Sequence, residues 1–77
     1  MNPFLTLVEQ ELTKASRKHP PFHSLHEAYA VILEEVDEFK AQVWKQNAAR
    51  DSQELVMELV QIAAMAMRTA LDCGLLA

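Results

Sequence analysis

Apolar residues fall three and four apart along most of this chain, and polar residues between the apolar runs mark three places where a helix begins. Asn2 can cap a helix, Pro3 suits the first helical position, and Phe4, Leu5, Val8 and Leu12 follow at helical spacing. This predicts a first helix running to about Lys18. Lys14, Arg17 and Lys18 suit the negative end of its dipole, and Pro20-Pro21 prevents continuation. After a linker from His19 to His23, Ser24-Leu25-His26-Glu27 has the spacing of a capping box and opens a second helix. There Leu25, Tyr29, Ile32, Val36, Phe39 and Val43 form an apolar stripe. Val31, Glu35, Glu38 and Gln42 fall on the neighbouring strip, so the carboxylates are expected to border the core. Lys45 to Arg50 is a short polar connection, and Asp51-Ser52-Gln53-Glu54 signals a third helix that ends at Gly74.

The third helix is apolar nearly all round, with Leu55, Val56, Leu59, Val60, Ile62, Met65, Met67 and Leu71 pointing in most directions about its axis. Two short partners cannot cover it. The second and third helices are expected to form an antiparallel hairpin, and two hairpins from two chains to complete a four-helix bundle. The expected assembly is a homodimer, or a tetramer built as a dimer of dimers.

Composition agrees with this class and narrows the rest. The chain has 77 residues, 51% of them hydrophobic, and one glycine, which predicts a single all-α domain over 1–77. A core of that size buries a modest share of the chain's surface and gains from a partner. Cys73 is the only cysteine, so no intrachain disulfide and no zinc site of several cysteines can form, which favours a reducing cytoplasm. A net charge of −4 argues against gripping a nucleic-acid polymer through its phosphates. Glu58, Gln61 and Arg68 interrupt the most hydrophobic segment, so no membrane span is expected, and the N-terminal stretch, with Glu9 and Glu11 and no charged-then-apolar pattern, predicts no export signal.

The charges that carry chemistry sit at an electrostatic cost. Glu34-Glu35-Val36-Asp37-Glu38 places like charges one helical turn apart, unfavourable by roughly 0.2–0.5 kcal/mol per pair. Glu58 lies inside Leu55-Val56-Met57-Glu58-Leu59-Val60, where a charge needs a partner or becomes neutral. In an antiparallel hairpin, Glu35 and Glu38 can lie opposite Glu58 and Gln61, which makes a cage of oxygens suited to a hard divalent cation. Mg²⁺ fits such a set, with Mn²⁺ as a second choice. The competing reading of the acidic run is a solvated helix face, and that of Glu58 is an ion pair across a subunit interface.

These residues resemble the signature of the MazG-like all-α nucleoside triphosphate pyrophosphohydrolases, Glu-Glu-x-x-Glu on one helix and Glu-x-x-Asp on the next. The pattern reads Glu34-Glu35-Val36-Asp37-Glu38 and then Glu58-Leu59-Val60-Gln61 here, within a likeness over about Phe22 to Asp72 to the small integron- and phage-type members. The resemblance implies Mg²⁺-dependent hydrolysis of a nucleoside or deoxynucleoside triphosphate to the monophosphate and pyrophosphate, in the service of cleaning the nucleotide pool. It implies Glu35, Glu38 and Glu58 as metal ligands, with Glu34, Glu35 and Glu38 as the catalytic carboxylates. Gln61 departs from the pattern: its amide oxygen can ligate but carries no charge and cannot act as a base.

Further residues have two readings each. His26 and Trp44 are candidates to meet a base, and Lys45 and Arg68 to meet phosphate. Lys40, Lys45 and Arg50 can equally be solubilising charge, and Arg68 can pair with Asp72 one turn on. Tyr29 belongs to the core stripe, and Met57, Met65 and Met67 read as filler of core or interface. The rival function is a non-enzymatic helical interaction module whose third helix exists to dimerise.

Overall fold

The computed structural model describes residues 2–45 and 50–76, and all of its regular structure is helical: α1 (Pro3–Lys18), α2 (Leu25–Val43) and α3 (Ser52–Asp72). The ends of these helices are set by side chains that accept otherwise unpaired backbone N–H groups. The Asn2 side chain accepts from the Phe4 N–H at 2.9 Å, Ser24 Oγ from Glu27 at 3.1 Å, and Asp51 from Gln53 at 2.8 Å. Glu27 completes its end by accepting from the His23 N–H at 2.8 Å, one residue before the cap position a capping box uses. Glu54 does not turn back to its cap; it lies 3.9 Å from Lys45 Nζ. α3 stops at Asp72, and Gly74 follows with φ +67°, the left-handed conformation that closes a helix C-terminus. Residues 46–49 of the polar connection lie outside the described residues.

The third helix is the centre of the molecule. α1 and α2 each pack on α3, and among the described residues they do not pack on each other. Val60 and Ala64 of α3 are fully shielded, and Val8 and Ala15 of α1, Ala28 of α2, Phe22 of the linker and Met65 complete the core. Each helix contributes an alanine to this core, Ala15, Ala28 and Ala64.

The second helix is turned relative to its sequence reading. Its buried and half-buried residues are Ala28, Val31, Ile32, Glu35, Phe39, Gln42 and Val43. Leu25, Tyr29 and Val36, three members of the predicted core stripe, are exposed, Tyr29 at 67%. Within one chain, therefore, the strip carrying Glu35 and Gln42 faces α3, and the most apolar strip stands at the edge of the contact. Two polar side chains, Glu35 and Gln42, are thereby drawn out of water along this seam together with the apolar ones.

Candidate functional site

Turning α2 in this way brings Glu35 and Glu38 against Glu58 of α3. One oxygen from each of the three carboxylates lies within 4.8 Å of the others. Glu35 and Glu58 are half-buried and Glu38 is exposed, so the trio sits at the mouth of the α2–α3 seam. Glu35 Oε2 and Glu58 Oε2 are shut off from solvent and receive no hydrogen bond, and the same holds for Gln42 Oε1 one turn beyond Glu38. Buried oxygens are nearly always paired, so three on one seam are a cost that needs a donor or a cation.

The proton affinities record that cost. Burial first, then the charge of Glu38 and a hydrogen bond shared with it, then Glu58 and Glu34, push the Glu35 carboxyl from an ordinary 4.5 to about 7. Glu58 is also raised, by burial and then by a hydrogen bond and repulsion from Glu38, with Glu54 adding to it. Neither has a basic partner within ion-pair distance among the described residues.

The donor set fits a small hard cation, being made of carboxylates without a basic partner among the described residues. Oxygens bound to such an ion at about 2.1 Å stand about 3.0 Å apart when adjacent and about 4.2 Å apart when opposite, so the trio, now within 4.8 Å, would draw inward to share one. Gln61, the predicted fourth corner, is half-buried and lines a cleft that it shares with Glu35. Gln42 is a residue whose part the sequence reading missed. It was legible as a member of the Glu35–Glu38 strip, but only the turn of α2 shows its oxygen buried.

That cleft, of about 520 Å³, opens between α1 and α2 over α3. Glu34 and Glu35 line its α2 side, Lys14 and Lys18 its α1 side, and Gln61, Met65 and Arg68 come from α3. Arg68 is buried and held by three neighbours. It donates to the Pro20 carbonyl, pairs with Asp72 at 3.2 Å, and lies 4.3 Å from the centre of the Phe22 ring. The pairing with Asp72 is the one its spacing allowed. Asp72 in turn accepts from the Phe22 N–H at 3.0 Å.

The other substrate candidates lie away from the cleft lining. His26 is exposed on α2, and Trp44 caps its C-terminus at 75% exposure, with Lys40 Nζ 5.9 Å from the ring centre. Lys45 faces Glu54, and Arg50 donates to the carbonyls of Val43 and Lys45, at 2.5 and 3.2 Å, closing the end of α2.

Fold and site together define an all-α chain whose central helix carries one carboxylate of a three-carboxylate cluster. Comparison with protein-family models, curated proteins and solved structures gave no match. Among the described residues, no helix is long and apolar enough to cross a membrane.

Proposed function

We propose that the protein is a Mg²⁺-dependent nucleoside triphosphate pyrophosphohydrolase of the MazG-like kind, active in the cytoplasm as a homodimer or a dimer of dimers. The observation that carries this reading is the trio of Glu35, Glu38 and Glu58, gathered from two helices with two of its oxygens buried and unpaired. These three residues would hold the ion, which when bound supplies positive charge against the triphosphate and makes a coordinated water more acidic. Gln61 Oε1 and Gln42 Oε1 are neutral oxygens on the same two helices and suit its outer contacts.

The chain's own part is to place and deprotonate water. Water's oxygen bonds to the α-phosphorus, the bond from that phosphorus to the bridging oxygen breaks, and pyrophosphate leaves. Glu34 or Glu35, both on the cleft lining, orient the attacking water and accept its proton, a role that asks for hydrogen-bond reach. Of the four residues proposed to meet substrate, His26, Trp44, Lys45 and Arg68, only Arg68 lies on the cleft lining. Its guanidinium is shared with Pro20 and Asp72.

A helical interaction module without chemistry would also use the apolar surface that α2 and α3 leave open. It gives no reason for carboxylates to be drawn into the seam. Incubation with a panel of nucleoside and deoxynucleoside triphosphates and Mg²⁺, with pyrophosphate and monophosphate assayed, separates the two. Glu38→Gln and Glu58→Gln are expected to abolish turnover while leaving the melting temperature equal or higher, since each removes a repulsive carboxylate. Unfolding of these variants, or a wild-type protein with neither turnover nor a Mg²⁺-dependent rise in melting temperature, would sink the enzymatic reading.

A further inference from the structure

The cleft between α1 and α2 is divided by charge. Lys14 and Lys18 stand one turn apart on α1, flanking the buried Ala15, with Glu11 one turn before Lys14, so that wall is basic on balance; Glu27, Glu34 and Glu35 stand on the opposite wall with no basic residue of α2 beside them. Neither lysine is in an ion pair among the described residues, whereas Arg68 and Lys45 each have a carboxylate partner. Because α1 and α2 do not pack on each other, the gap is open to a ligand. Its volume of about 520 Å³ falls in the range of small-molecule sites, about 300–1,000 Å³.

Each wall rejects what the other accepts. A bare polyanion is repelled by Glu34 and Glu35, and a bare cation by Lys14 and Lys18. A polyphosphate carrying a divalent cation satisfies both, with its metal end toward Glu35 and its free phosphates toward α1. We propose that Lys14 and Lys18 form the polyphosphate-binding wall of this cleft, and that α1 is therefore part of the substrate site rather than a packing helix. The proposal rests on the pyrophosphohydrolase reading for the identity of the substrate, but not for the class of ligand.

The linker gives α1 its place. Pro20 and Phe22 are tied to Arg68 and Asp72 of α3, which anchors the chain just after Lys18 and keeps both lysines on the cleft. Lysine suits this task as a mobile point charge that follows phosphate oxygens without a fixed fork.

The test uses the full chain and inorganic tripolyphosphate with Mg²⁺, titrated calorimetrically, alongside steady-state kinetics on a nucleoside triphosphate. Lys14→Gln with Lys18→Gln is expected to weaken Mg²⁺-tripolyphosphate binding and raise KM by about tenfold, the effect of two exposed charge contacts together, with the melting temperature unchanged. Arg17→Gln, exposed on the same helix and off the cleft lining, is the control and changes neither. Wild-type protein that fails to bind Mg²⁺-tripolyphosphate at millimolar concentration overturns the inference, as does a double variant that binds it normally. Hydrolysis with an unaltered KM in the double variant also overturns it, and leaves the enzymatic reading intact. Lysine-dependent binding without hydrolysis by the wild type supports the cleft and removes the enzyme.

Discussion

Glu35 is held as an acid near neutrality by the same burial and crowding that make it a candidate ligand, and this has a measurable consequence. Its carboxyl is raised from 4.5 to about 7, so between those values the folded protein keeps a proton that the unfolded chain has lost. Stability without metal must then fall as pH rises from about 4.5 to 7, and Glu58, also raised, adds to the fall. Because the site is half open to water the effect is discounted to roughly 1 kcal/mol, or about 4–8 °C in melting temperature for a chain of this size. Thermal melts at pH 5 and pH 7.5 in chelator check it, and a higher melting temperature at pH 7.5 would contradict it. Divalent cation should reverse the trend, since it requires the deprotonated ligands, so the rise it gives at pH 7.5 should shrink at pH 5. The trio itself was legible, because one-turn spacing and a charge inside an apolar run are properties of sequence. The buried place of Gln42 and the cleft-side place of Lys14 were not. Gln42 depends on which way α2 is turned, and Lys14, read along the chain, is only a cation near a helix end.

The three helices were legible almost to the residue because their ends are written in capping side chains and prolines, which act locally. Their rotations were not, since these depend on which side of each helix meets α3. The linker shows the same division. Pro20-Pro21 announces that α1 ends, but nothing local says that Phe22 is a buried anchor fifty residues from Asp72. There the side chain of Arg68 is 6% exposed and its guanidinium lies over the Phe22 ring. Its removal strands Asp72 and frees the linker, and breaking a pair so placed costs about 3–5 kcal/mol. Arg68→Ala is expected to lower stability by about that much in a denaturant titration, with Arg68→Lys recovering part of it. A loss below about 1 kcal/mol would mean that the clasp is ornamental. Because the clasp anchors the chain beside Lys18, Arg68→Lys should also raise KM more than it lowers kcat.

For the molecule as a whole, the unresolved balance is apolar surface. Leu25, Tyr29, Leu33 and Val36 lie within one strip of α2 and are exposed. On α3, exposed Val56, Leu59 and Met67 share a side with Ala63 and Ala66, and no charged residue lies on that side between Val56 and Ala70. Apolar strips at such spacing on two neighbouring helices are what one hairpin presents to another in a bundle, and a self-complementary face is buried most simply by a second copy. The chain's small core adds a reason, because burying that face would add stability to a fold of 77 residues arranged as three helices. Sedimentation at micromolar concentration is expected to give a mass of two chains or four. Tyr29→Glu together with Met67→Glu should shift it to one, with a melting temperature that no longer rises with protein concentration. A wild-type mass of one chain would refute the association. A dimer would also bear on the carboxylates: if they were paired across its interface, the double variant would leave Glu58 without its partner and destabilise the fold whether or not metal is present. If they belong to a metal site within each chain, as their gathering inside one hairpin supports, the monomeric variant should still gain melting temperature on addition of Mn²⁺.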